Sequence, residues 1–163
     1  MNMETLRQIW NDRGTALGGW LSVPSSVTAE AVARAGFDYV CIDAQHGAVE
    51  YSDCVSIILA VLLGGGRPIV RVPWNAPGVI CKMLDAGAQG VISPMVNTVA
   101  EAEAAVRACR YAPEGARSSG PTLVGARTDR PYFEWAKDNV ACIPMIETIE
   151  AVGNLDDILA VPG

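Results

Sequence analysis

The sequence predicts a parallel α/β fold of repeated strand–helix units, the first five units of a (β/α)8 TIM barrel. Three observations lead there. Short apolar runs alternate with longer amphipathic ones along the 163 residues. The short runs are apolar throughout rather than alternating, as in strands buried on both faces. No glycine-rich phosphate turn follows the first strand, which disfavours a doubly wound sheet.

The elements follow in order. The first strand is expected at 17–23 and its helix at 28–35. The second strand is 39–43, with a helix at 51–63. The third strand is 68–72, followed by a helix at 77–86 that Gly87 is placed to end. The fourth strand is 90–95, and 99–110 is a strong helix rich in Ala and Glu. Residues 111–130 form a long loop with Pro, Gly, Ser and Arg, followed by a short helix at 132–137. The fifth strand is 141–147 and its helix 149–159. Gly64-Gly65-Gly66 resembles a phosphate loop, but it follows a helix and precedes a strand. That is the wrong side for phosphate, and the triplet reads as a helix-terminating turn.

A barrel of this type needs about 250 residues. The chain stops at Val161-Pro162-Gly163, where a sixth strand should begin. The expectation is one partial barrel domain over 1–163, a fragment of a larger enzyme or a truncated gene product. Such a chain alone should be a poor enzyme and should self-associate through its open strand edges. The alternative is a complete small open-sheet protein.

Composition narrows the classes. Half the residues are hydrophobic, which allows a sizeable core. The net charge of −6 and pI near 4.7 argue against nucleic acid as a partner. No apolar run is long enough for a membrane span. The run 1–12 is mildly amphipathic and lacks the basic start and apolar centre of a signal peptide. The five cysteines have no C-x-x-C spacing. Cys41, Cys81, Cys109 and Cys142 read as small core residues, and the protein as reduced and cytoplasmic.

Barrel active sites form at the C-terminal ends of the strands. The second strand delivers Asp43, Gln45 and His46, the only histidine. A carboxylate beside an imidazole fixes its tautomer and raises its basicity, as a proton-transfer site requires. The third strand delivers Arg71 and the fifth Glu147. Each has a plainer alternative: a capping Asp, a surface His, a rim ion pair, a helix-capping Glu. Their convergence on one mouth favours the functional reading. A carboxylate with no Cys or His cluster around it suits a hard divalent cation. Lys82 and Lys137, the only lysines, fall in predicted helices, which argues against an imine mechanism. Ser25, Ser26, Ser118 and Ser119 lack a nucleophile elbow.

These residues occur within a longer ordered set of motifs. They are Ala35-Gly36-Phe37-Asp38-Tyr39-Val40 leading into Ile42-Asp43-x-Gln45-His46-Gly47, then Val70-Arg71-Val72-Pro73. Leu84-Asp85-Ala86-Gly87-Ala88-Gln89-Gly90 and Pro94-Met95-Val96 follow. Arg110-Tyr111-x-Pro113-x-Gly115-x-Arg117, Ile146-Glu147-Thr148 and Asn154-Leu155 complete it. The set resembles the HpcH/HpaI aldolases, metal-dependent class II pyruvate aldolases, from about Thr15 to Gly163. The resemblance implies a phosphoenolpyruvate/pyruvate-type barrel, typically a homo-oligomeric hexamer, that cleaves 4-hydroxy-2-oxo acids in aromatic or sugar acid catabolism.

It implies His46 as catalytic base, Asp43 as its partner, and Arg71 as the group holding the 2-oxo oxygen. Arg71 and Gln45 become the substrate-binding residues. Glu147 becomes one ligand of a divalent cation, Mg2+ or Mn2+ with Co2+ as a third choice. The second ligand, an Asp in a Gly-Pro-x-Asp-Leu motif, would lie beyond Gly163. Many members have Glu where this chain has Gln45. The expected reaction is cleavage to pyruvate and an aldehyde through a metal-stabilised enolate. Rivals are a citrate lyase β-like or malyl-CoA lyase-type enzyme and a non-catalytic remnant. Arg117 and Arg127 are candidates to meet a distal carboxylate of the substrate, or else belong to a solvated loop.

Overall fold

The computed structural model describes residues 5–125 and 127–163. Residues 1–4, at the start of the amphipathic run, and Ala126 in the long loop lie outside the described residues. Five strands, β1 Gly18–Leu21, β2 Tyr39–Asp43, β3 Pro68–Arg71, β4 Gly90–Ser93 and β5 Ala141–Pro144, form one sheet in the order β1-β2-β3-β4-β5. All four pairings are parallel. Sequential order is that of a barrel, whereas a doubly wound sheet reverses about a switch point. The chain therefore builds five consecutive units of a (β/α)8 barrel.

Alternation along the strands sorts the apolar residues into two layers. Val40, Ile42, Val70 and Val91 point outward and bury against Ile57, Ile58, Ile80 and Leu84 of the helices. Those helices are α2 Ser26–Arg34, α3 Tyr51–Leu63, α4 Pro77–Ala86 and α5 Val99–Cys109. Cys41, Ile69, Ile92 and Ala141 point inward, packed with Tyr39, Ile143 and Met145.

Helix boundaries follow local chemistry. Pro77 opens α4, where its missing N–H costs nothing, and Gly87 at φ 116° ends it in the left-handed region that favours glycine. Thr98 and Glu101 cap α5 reciprocally. The glycine triplet does terminate α3, and it also lets α2 approach: a Cβ on Gly64 or Gly66 would sit 2.9–3.0 Å from the Ala33 methyl.

Four features differ from expectation. Helix α1, Leu6–Arg13, starts with a Thr5–Gln8 capping box and buries Leu6 and Ile9, with Leu6 closing the inner apolar cluster. Strands β1, β3, β4 and β5 end earlier than expected, because their last residues turn into loops. Single ladder bonds persist there, such as Val72 N–H to Ile92 O at 3.0 Å and Met145 N–H to Ser93 O at 2.8 Å. The last helix divides into α7 Ile149–Gly153 and α8 Leu155–Leu159. At the break Asn154 leaves helical geometry, and its amide donates to Asn97 O at 2.8 Å. Helix α6, Tyr132–Asn139, runs two residues longer than expected. Among the described residues no helix is long and apolar enough to cross a membrane.

Candidate active site

The register of the sheet places Asp43 directly opposite Arg71 at the C-terminal ends of β2 and β3. Asp43 is 3% exposed. Its Oδ1 accepts from Arg71 Nε at 2.9 Å and from the backbone N–H groups of Gln45 and His46, each at 3.1 Å. Its Oδ2 accepts from Arg71 Nη2 at 2.5 Å and from the Trp20 indole N–H at 3.4 Å. Five donors thus occupy the roughly four lone-pair sites of one carboxylate. Burial alone would raise the Asp43 pKa. The Arg71 fork, the two backbone N–H groups and the indole outweigh it, and Asp43 is held well below the usual carboxylate range. The same bonds raise the pKa of Arg71 against its own desolvation, with Glu147 adding to the field.

This corrects the expected Asp43–imidazole pair. The carboxylate engages the backbone N–H of His46, not its ring, because Arg71 lies opposite in register and a guanidinium fork matches a carboxylate bidentately. Asp43 fixes the chain beneath the ring instead. The His46 side chain is exposed at the mouth and bonds to none of the described residues. Gly47 is required at the next position, since a Cβ there would collide with the Asp43 carbonyl and press to 3.1 Å from Ser22. Gln45 follows the same turn, and its side-chain Oε1 is buried with no hydrogen-bond partner.

Glu147 lies just past β5. Its Oε1 accepts from the Met95 backbone N–H at 2.8 Å, across from the end of β4. Met95 is itself unusual, a non-glycine residue at φ 55°. The second Glu147 oxygen has no hydrogen bond among the described residues, and an exposed carboxylate oxygen suits a hard cation. Among the described residues no group of three or more His, Cys, Asp or Glu is arranged to hold a metal. Glu147 therefore fits as one ligand and does not make a site by itself.

Other candidates leave the mouth. The Arg117 side chain is fully buried, with Nη2 bonded to Asp85 at 2.7 Å and to the Tyr132 hydroxyl at 3.1 Å. It cannot meet a substrate carboxylate, and it ties the long loop to α4 and α6. Arg127 is exposed. Lys82 lies over the Tyr51 ring and Lys137 pairs with Glu114, both on helices. Trp20 is absent from the expected site residues, and Met95 enters the sequence expectations only within the motif Pro94-Met95-Val96. Trp20 could have been found from strand parity, since it falls on the inward face of β1 near its C-terminal end. Nothing local marks Met95.

The fold and the site define a barrel protein whose charged and proton-carrying groups converge at the strand C-termini, where barrel enzymes carry out their chemistry. The chain belongs to the HpcH/HpaI aldolase/citrate lyase family, whose model matches residues 17–163. It is 44% identical over 161 residues to the hydroxypyruvate/pyruvate aldolase of Rhizorhabdus wittichii, covering 99% of this chain and 64% of that protein. It is 40% identical over 150 residues to the 4-hydroxy-2-oxo-heptane-1,7-dioate aldolase of Escherichia coli, covering 90% and 57%. An HpcH/HpaI aldolase/citrate lyase family protein from Burkholderia cenocepacia J2315 superposes with a TM-score of 0.87 at 34% identity, over 97% of this chain and 65% of that one. The chain thus spans less than two thirds of the length of these relatives.

Proposed function

We propose that this chain carries the site of a pyruvate aldolase, a carbon–carbon lyase that cleaves a 4-hydroxy-2-oxo acid to pyruvate and an aldehyde. The observation that carries the reading is the Asp43–Arg71 fork at adjacent strand ends, with His46 and Glu147 at the same mouth. Breaking the C3–C4 bond leaves its electron pair on the pyruvyl part as an enolate. The 4-hydroxyl proton must leave as C4 becomes the aldehyde carbonyl. His46, with an unengaged ring, takes that proton directly or through a water. Arg71, held charged by Asp43, faces the enolate oxygen and stabilises charge that exists fully only after the bond breaks. Gln45, the other residue expected to bind substrate, sits on the same turn with its side-chain Oε1 buried and unpartnered. Glu147 would be one ligand of a divalent cation, Mg2+ or Mn2+, which when bound would supply Lewis-acid charge to stabilise the enolate.

Names of relatives support the substrate class, since two are named for pyruvate-related or 4-hydroxy-2-oxo acid cleavage. Five free cysteines support a reducing, cytoplasmic setting.

The test is metal-dependent pyruvate release from a 4-hydroxy-2-oxo acid by the full gene product and its His46→Ala variant. The expected loss is about 10²–10⁴-fold with the fold intact. Turnover at the parent rate in the variant removes His46 from the mechanism. Absence of pyruvate release by the parent protein removes the reading.

A further inference from the structure

We propose that Trp20 is a positioning residue that sets the tilt of the Arg71 guanidinium through contact with both halves of the Asp43–Arg71 pair. The inference rests on the role proposed above for Arg71. One indole makes two different contacts here. Its N–H donates to Asp43 Oδ2 at 3.4 Å, and its ring lies under the Arg71 guanidinium carbon at 5.0 Å.

Geometry explains why the second contact matters. The fork to Asp43 pins two points along one edge of the guanidinium. A planar group held along one edge still swings about that edge. A ring against its face removes the swing, and cation–π attraction favours the stacked position. The remaining Arg71 N–H groups then keep a fixed aim toward the mouth. An oxyanion stabiliser depends on such aim, since donors must meet the developing charge within a few tenths of an ångström.

The strand is built to hold the indole there. Gly18, two residues before Trp20 on the same inward face, lies where any side chain would collide with the Tyr39 ring. Tyr39 therefore fills the layer next to Trp20, within the inner apolar cluster. Trp20 is 49% exposed, so its second face opens on the mouth and its removal leaves the apolar core intact.

Two variants of the full gene product test this, Trp20→Leu and Trp20→Phe. Phe keeps a stacking face and loses the N–H, whereas Leu loses both. Two readouts are taken: kcat and KM for pyruvate release, and the 1H–15N resonance of Arg71 Nε with its solvent-exchange rate. Trp20→Leu should lower kcat about ten-fold with KM nearly constant. In the same variant the Arg71 Nε–H should lose its ring-current shift and exchange faster. Trp20→Phe should recover most of the shift and of the lost kcat. Parent-like kcat and Arg71 exchange in Trp20→Leu would overturn the proposal. So would a loss of kcat with the Arg71 resonance unmoved, which would mean that the indole acts on substrate directly. If Trp20→Leu does not fold, a Trp20→Phe variant whose Arg71 resonance loses its ring-current shift overturns the proposal, and one that retains it supports it. If the aldolase reading fails, no variant releases pyruvate, while the Arg71 resonance still reports whether Trp20 holds the pair.

Discussion

Two arginine–aspartate pairs in this molecule share their chemistry and differ in their place. Arg71 bonds Asp43 and lies over Trp20; Arg117 bonds Asp85 and lies over Tyr111 and Tyr132, at 4.7 and 5.2 Å. The Arg71 side chain is 14% exposed at a strand end, and its partner spends every lone pair orienting groups at the mouth. The Arg117 side chain is 0% exposed, and its Nε and Nη1 are buried with no partner. Its one engaged nitrogen fastens the loop 111–130 to two helices. A cation on an aromatic ring beside a carboxylate is thus no signature of a site. What separates them is position: the first pair stands at the C-terminal ends of two paired strands, the second beneath a loop.

The comparison can be broken in three ways. Arg71→Ala should lower kcat by about 10²–10³-fold, as for loss of one preorganised oxyanion donor, with a smaller fall in stability than Arg117→Ala because Asp43 keeps two backbone N–H groups and the Trp20 indole. Unfolding of that variant with normal activity per folded molecule would place Arg71 with Arg117 as a structural residue. Arg117→Ala should show the reverse, a loss of about 3 kcal/mol in stability measured by urea denaturation. That sits at the low end for a broken buried pair because Asp85 keeps some access to water. Activity per folded molecule should hold; a selective fall in kcat at parent stability would move Arg117 to the site.

The third and smallest effect concerns pH and sharpens the mouth pair alone. Burial raises the Asp43 pKa, but its hydrogen bonds lower it more, so the folded value lies below the unfolded value of about 3.9. The folded state then binds this proton less readily than the unfolded state. The stabilisation is fully present above about pH 5 and is lost as pH falls through the unfolded value toward the folded one. Melting temperature should decline with acid below about pH 5, and Asp43→Asn should flatten part of that decline. Parallel slopes in the two proteins would mean that the pair contributes no linkage.

Much of the architecture was legible because punctuation residues sit at the element ends. Strand β2 and helices α3 and α4 fall where the sequence places them, with Pro77, Gly64 and Gly87 marking the limits. The candidate site was legible as a list of strand-end residues and not as a set of bonds. Asp43, His46, Arg71 and Glu147 do gather at strand ends, but spacing along the chain puts Asp43 three residues from His46. Only the β2–β3 register reveals that Arg71 is nearer in the sense that counts. Arg117 was misplaced for a related reason, since a loop rich in Gly and Pro reads as solvated until Tyr111 and Tyr132 are seen to close over it. Helix α1 carried its capping box in plain view, yet the burial of Leu6 depends on the inner face of a sheet formed later in the chain.

The contact at Gly47 bears on how this scaffold can be re-engineered. The turn carrying His46 rests on Ser22 with no room for a side chain between them, and Ala48 N–H bonds Ser22 O at 2.9 Å. The loop after β1 and the turn after β2 therefore behave as one shelf. Loop exchange on barrels assumes modules that can be swapped singly, and here the assumption fails. A graft at residues 22–25 would re-aim the histidine as well, so libraries built at this mouth should transplant both segments together.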